Sequence, residues 1–399
     1  TKMAWDSTAT NAGTLPWGQG AGHIAPNSAA NPGLVYDIAP NDYARFLCGL
    51  GLIYTSAQCT ALGGSLPAYN LNLASLTAGN VLGSLTMTRT VTNVGPTTAT
   101  YNATASLPGF NVSVQPSMLV LAAGAKASFT VKLTRTSAPL DTWAYGVLNW
   151  TDGSHNVRSP LTARGSGLSA PASVVSEAAS GSKVVTVGTG FAGALSAVKG
   201  GLLPAVRESR SIGTANTNLS NTALCQGGNA TGVSLHPVTI PAGTLLARFS
   251  LFDPETTGAA SGTSDLDLVL MRGNTAVASS GSDTSNESVQ VVAPSAGDYS
   301  VCVIGFKPAG GQATYALSSW VVQPSTAGNF KVNMPSSATV GGTATVGMSW
   351  SGLAAGKRHL GAVNYLVGGV KQGMTVVGVD TTDPLPLFKN SRNKEALAF

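Results

Sequence analysis

Charge is what this sequence has least of. Asp, Glu, Lys and Arg make up 10% of its 399 residues, and the formal net charge is only +5. No basic block occurs before the extreme C-terminus, which argues against a nucleic-acid surface. No stretch offers about 18 consecutive apolar residues, the length that a membrane-crossing helix needs. The opening TKMAWDSTAT lacks a basic start followed by an apolar core, so it does not read as a secretory leader. The expectation is a chain that begins at a processed end or inside a longer protein. Four His residues are scattered without i, i+4 spacing, and no Cys-x-x-Cys pair occurs. Zinc is therefore not indicated, and no cofactor or resident metal is expected.

What is plentiful is Gly, at 48 residues, among many Ser, Thr, Ala and Val. β-Branched residues with frequent turn formers favour short strands over helical bundles. Residues 1–68 form a compact mixed segment with one clear helix, in PNDYARFLCGLGL. Tyr43, Phe46, Leu47 and Leu50 follow there at i, i+3, i+4 and i+7. Asn41 or Asp42 is placed to cap its start, and Gly51 suits its end. One amphipathic face is a thin core, so 1–68 reads as the edge of a larger domain. Residues 69–165 alternate in short runs, LTMTRTVTNVG first, and close with a hairpin turned at DGS. An immunoglobulin- or fibronectin-like sandwich fits. GSGLSAPAS (165–173) reads as a linker. Residues 173–323 are again β-rich, with SDLDLVLMRGNTAVASS turning at GN and YSVCVIGF alternating; a jelly-roll-like sandwich fits. Residues 326–380 form a small immunoglobulin-like β unit, and 381–399 a tail without period, expected to be disordered. The fold class is mainly β, with tandem β-sandwiches after the short mixed segment.

Four cysteines fall into two natural pairs, Cys48 with Cys59 and Cys225 with Cys302. An even count split between segments suits a secreted, oxidised chain. Four cysteines allow three connectivities, and buried free thiols are the alternative.

Three motifs in chain order carry a resemblance. Gly20, Gly22, His23, Ile24 and Pro26 write a G-x-G-H-I-x-P turn; Asn31 to Asp37 read NPGLVYD; Asp42, Tyr43, Phe46, Leu47 and Cys48 write D-Y-x-x-F-L-C. This stretch resembles the C-terminal end of the peptidase domain in subtilisin-like serine proteases of the plant, cucumisin-like type. RTVTNVG (89–95) and YGVLNWTDGSHNVRSP (145–160) are similar to the fibronectin type III-like domain that follows it in that family. The 173–323 block looks like the pre-peptidase C-terminal domains of secreted bacterial proteases, mainly through DLDLVL and AGDYSVCV. The resemblance implies that 1–68 is the remnant of an α/β peptidase domain. It also implies a parent enzyme that is a secreted serine endopeptidase, hydrolysing peptide bonds through Ser, His and Asp. None of the three segments that would carry this triad is present. GTSD (262–265) lies in a β-rich block with no helix after it, and GGSLPA (63–68) lacks a strand-turn-helix context. No catalytic residue is assigned, and this chain alone is expected to be inactive.

Other residues carry bland and sharp readings side by side. His23 has no nucleophile or carboxylate in motif context, and in the family it is structural. His155 sits beside a hairpin turn, where it faces solvent or bonds locally; His236 and His359 stand alone. Asp265, Asp267, Asp283, Glu287 and Asp298 supply hard oxygens that suit calcium, against the plainer reading of a solvated polar sheet face. Trp143, Trp150, Trp320 and Trp350 suit a stacking platform for sugar or insoluble protein, although an alternating aromatic is more often core. Sequons at Asn102, Asn111, Asn149, Asn218, Asn229 and Asn286 would carry glycans in a eukaryotic secretory host, and arise by chance in a chain so rich in Ser and Thr. The implied partners are the missing catalytic domain of the same protein and a protein or polysaccharide surface, with no nucleic acid and no membrane span. The competing reading is a non-enzymatic, multi-sandwich adhesion protein.

Overall fold

The computed structural model describes residue 17 and residues 20–22, 24–51, 53–258 and 264–382. The expectations for His23 and for the tail after Thr382 lie outside the described residues. Two compact units are present: the first runs to Ser169 and includes Gly188–Ala192 and Thr339–Gly342, and the second holds the remainder.

In the first unit four short elements precede a sandwich. Helix α1 is Pro26–Ala30, α2 is Pro40–Leu50 and α3 is Ser56–Ala61; a 3-10 turn follows at Ala68–Asn70. The α2 helix starts before the expected caps. Ala39 is its N-cap and Pro40 its first residue, which leaves Asp42 inside the first turn, where a carboxylate suits the helix dipole. Gly51 closes it at φ 71°, as expected. The sandwich has two sheets. One orders Leu34–Val35, Ser84–Asn93, Lys126–Arg135 and Phe110–Gln115; the other orders Leu76–Val81, Asn156–Gly165, Trp143–Thr151, Ala99–Ser106 and Met118–Leu121. Period two decides what is inside: on Ser84–Asn93 the buried residues are Met87, Arg89, Val91 and Asn93, with threonines facing out. Trp150, Tyr101, Phe129, Met87, Leu133 and Leu148 fill the core, each contributing roughly 1.5–3 kcal/mol through burial. The expected hairpin at DGS forms, with Thr151 opposite Asn156.

The second unit differs from the expected division at 323–326. Ser173–Ser176 pairs in parallel with Val376–Val379, and Gly193–Pro204 pairs antiparallel with Arg358–Val367. Strands on either side of the expected boundary therefore share a sheet. Residues 206–322 form their own pair of sheets between them: Val206–Gly213, Gln312–Val322, Leu246–Ser250 and Ser288–Val292 in one, and Val233–Ile240, Gly297–Lys307, Asp265–Arg272 and Thr275–Ser280 in the other. This inserted sandwich begins and ends at neighbouring backbone: Ser325 N–H donates to the Lys199 carbonyl at 2.9 Å, and Gly200 bridges Pro324. The stretch expected as a linker at 165–173 is not loose, since Ser166 and Leu168 are buried.

The two expected disulfides are formed. Cys48–Cys59 ties α2 to α3, and Cys225–Cys302 ties helix α4 (Asn221–Gln226) to the strand Gly297–Lys307. Among the described residues no helix is long and apolar enough to cross a membrane.

Candidate functional site

The NPGLVYD stretch is the seam by which the N-terminal segment is fastened to the first sandwich. Leu34 and Val35 pair antiparallel with Asn93 and Thr92, and Val94 N–H donates to the Gly33 carbonyl at 2.9 Å. Gly33 has φ +75°, and a β-carbon there would stand 2.7 Å from the Tyr101 hydroxyl and 2.8 Å from the His155 ring. Glycine is required on both counts. Beyond it Leu34 enters the sandwich core. The Tyr36 hydroxyl meets Ser159 Oγ at 3.0 Å, and burial raises the phenol's pKa. Asp37 accepts from Thr92 Oγ1 at 2.9 Å and faces Lys126 at 3.1 Å. The Thr92 bond first, and Lys126 second, hold its pKa down.

A second set of contacts fixes the chain that leads into the sandwich. Asn72 serves one residue of the strand twice, accepting from Thr90 N–H at 2.8 Å and donating to the Thr90 carbonyl at 2.8 Å. Asn70 accepts from Thr88 N–H at 2.9 Å. Arg89 points inward from the same strand and is 2% exposed. Its guanidinium donates to the carbonyls of Leu73 (2.9 Å), Tyr69 (2.9 Å), Thr88 (2.8 Å) and Ser75 (3.2 Å). Burial lowers its pKa to about 10. In the sequence Arg89 stands out only as an arginine between Met87 and Val91 at inward positions of RTVTNVG's strand. Between α2 and this strand lies an open cleft of about 670 Å³, whose walls include Asp42, Arg45, Asn72, Thr88 and Lys126.

Among the described residues the outer side of the segment is little covered. The α2 helix contains no buried residue, and Tyr43 and Leu50 are about half exposed, with Ile53 beyond it at 80%. Its apolar stripe is thus only partly covered within the described residues: Phe46 and Leu47 are half-buried, while Tyr43 and Leu50 stay open.

The other candidates separate on burial. His155 bonds locally: its Nδ1 meets Asp152 Oδ2 at 2.8 Å, and Asp152 Oδ1 accepts from the backbone of Ser154 and His155. Burial works to raise the Asp152 pKa, but these bonds outweigh it and hold it at about 2. Trp150, Trp320 and Trp350 are buried, so a platform made of all four tryptophans does not exist. Trp143 is the one near the surface, edge-on to Trp17 at 5.0 Å with the Arg164 guanidinium over its ring. Cys225 and Cys302 are buried beside α4.

Asp265, Asp267 and Glu287 do not form a solvated face; all three are buried. A register shift between Asp265 and Asp267 breaks the alternation that suggested it. Burial first, then the charges of Asp267, Glu287 and Asp283, raises the Asp265 pKa to about 6. Glu287 accepts from Ser280 Oγ, from Ser282 Oγ and from Ser282 N–H, and Asp267 from Asn221 Nδ2 at 2.8 Å. Asp283 and Asp298 are exposed. Among the described residues no three His, Cys, Asp or Glu side chains stand close enough to hold a metal ion. The described sequons divide as well: Asn102, Asn111, Asn218 and Asn229 are exposed, while Asn149 and Asn286 are partly buried.

A model described as a fibronectin type-III domain matches residues 70–163. Subtilisin-like protease SBT3.6 of Arabidopsis thaliana is 38% identical over 157 residues, which is 37% of this chain and 20% of that protein. Subtilisin-like protease SBT5.4 of the same plant is 40% identical over 157 residues, again 37% and 20%. SBT4.11 is 36% identical over 185 residues, 43% of this chain and 25% of its own. Among solved structures, the CupB2 chaperone of Pseudomonas aeruginosa aligns over 61% of this chain and 97% of its own at 12% identity, with a TM-score of 0.21 that is too low to bear on fold or function. The chain thus spans about a fifth to a quarter of the length of these curated relatives, and its matching part is similar to the C-terminal portion of subtilisin-like proteases, fibronectin type III-like domain included.

Proposed function

We propose that this chain is the C-terminal accessory portion of a secreted subtilisin-like serine endopeptidase. The parent protein hydrolyses peptide bonds by Ser/His/Asp catalysis on a peptidase domain outside this sequence, and this portion has no catalytic role of its own. Its first sandwich is a foundation on which the last segment of the peptidase domain is seated. The observation that carries this reading is the two-sided character of residues 31–53. The inner side is locked to the sandwich through Gly33, Leu34, Tyr36 and Asp37, while α2 leaves Tyr43 and Leu50 exposed. Apolar side chains left open to water on one helix are what a missing core would cover. The two disulfides and the similarity to plant proteases support an extracellular setting.

The test is reconstitution. A subtilisin-like peptidase domain truncated before its NPGLVYD counterpart, supplied in trans, is expected to be captured by this chain and to gain resistance to heat. Tyr43→Ser with Leu50→Ser should abolish capture while leaving the chain folded. Labelling of the isolated chain by a serine-directed fluorophosphonate, with digestion of casein, would overturn the assignment.

A further inference from the structure

His236 lies between the two sheets of the inserted sandwich and is 3% exposed. It belongs to the strand Val233–Ile240 of one sheet, and both of its ring nitrogens are bonded to the other sheet. Nδ1 meets Glu208 Oε2 at 2.7 Å, and Nε2 meets the Tyr315 hydroxyl at 2.8 Å. A carboxylate only accepts, so Nδ1 carries the hydrogen; in a neutral ring Nε2 then accepts from the Tyr315 O–H. The Ser234 side chain is the phenol's other hydrogen-bonding neighbour. Ser234 Oγ in turn accepts from Arg210 Nη1 at 3.0 Å, and Arg210 Nε donates to Glu208 at 2.7 Å. Glu208 and Arg210 are the charged groups around the imidazole, and Tyr315 the other titratable one. In this state one carboxylate balances one guanidinium.

A proton on Nε2 reverses the bond to tyrosine. The imidazole must then donate to Tyr315, and the tyrosine hydroxyl must turn to Ser234. The half-exposed Glu208 is left to balance both Arg210 and an imidazolium. Val206–Gly213, which carries Glu208 and Arg210, is an edge strand that, among the described residues, pairs only with Gln312–Val322.

We propose that Glu208, His236 and Tyr315 form an acid-sensitive latch between the sheets, in which protonation of His236 swings the Tyr315 hydroxyl onto Ser234 and loosens the edge strand Val206–Gly213. Burial works in the same direction, since it draws the imidazole below its ordinary pKa, with the Glu208 bond opposing it. The unfolded chain therefore takes the proton first, and stability falls as pH drops through about 6.5.

Hydrogen–deuterium exchange on the full chain at pH 7.5 and 5.0, corrected for intrinsic rates, tests the latch. Peptides covering 206–213 are expected to open more at the lower pH, by up to about tenfold per pH unit for one proton. His236→Gln is expected to remove that response. A ring titration by NMR supplies the second arm: in Tyr315→Phe the His236 pKa should rise, because the donor to the neutral ring is gone. Equal acid response of 206–213 with and without His236 would overturn the proposal. So would a His236 titration indifferent to the tyrosine hydroxyl.

Discussion

Replacing Arg89 with methionine keeps the inward volume of the strand and removes the donors that hold residues 69–75 in place. The guanidinium makes four bonds to carbonyl oxygens. At the low end for a charged donor, about 1.5 kcal/mol each, they contribute roughly 6 kcal/mol. That figure is already net of the water given up on folding, so the variant is expected to be less stable by several kcal/mol, up to roughly 6. Arg89→Lys should lose about half as much, since a lysine brings charge but no fork. Urea unfolding measures both, followed through the fluorescence of Trp150 with the other five tryptophans replaced by phenylalanine. Limited proteolysis should find new cleavage between Tyr69 and Ser75 in the methionine variant. A methionine variant within about 0.5 kcal/mol of the wild type, the scatter of neutral surface changes, would refute the idea that this arginine fastens the segment.

Loss of the two disulfides should be unequal. In the chain-entropy model Cys225–Cys302, with a sequence separation of 77, is worth roughly 4.5 kcal/mol. Cys48–Cys59, at a separation of 11, is worth roughly 3 kcal/mol. Serine pairs compared by thermal unfolding check the order. Removing the shorter bridge should also free α3, which has no buried residue, and appear as faster amide exchange at Ser56–Ala61. Asp265→Asn should stabilise the protein at pH 7. A carboxyl whose folded pKa of about 6 lies above its unfolded value disfavours folding as pH rises from about 4 to 6. The gain, up to about 3 kcal/mol, should vanish below pH 4 in denaturant midpoints.

Much of the first sandwich was legible because its information is local. Met87 and Val91 alternate with threonines, the DGS turn sets a hairpin, and Gly51 ends a helix. The start of α2 was misplaced because Pro40 at the first helical position competes with the side-chain caps beside it. The insertion was not legible. Ser173–Ser176 finds its partner about 200 residues away, and no local pattern announces a pairing at that distance. Asp265 and Asp267 read the same whether they face water or accept hydrogen bonds inside, so alternation alone could not place them. Glu208, His236 and Tyr315 come from three strands, and their spacing in the chain carries no periodic signal.

The inserted sandwich enters and leaves through a single doorway, at Lys199–Gly200 beside Pro324–Ser325. A module mounted this way behaves as a cassette. Its two ends already meet, so its outer loops can be lengthened without re-threading the strands that frame it, but cutting it out would strip Leu360, Ala362 and Val376 of the Leu245, Leu246, Trp320 and Val322 side chains packed on them. Change at the far end of the module is thereby uncoupled from the frame, while change at its base, where Trp320 and Val322 meet Leu360, is not.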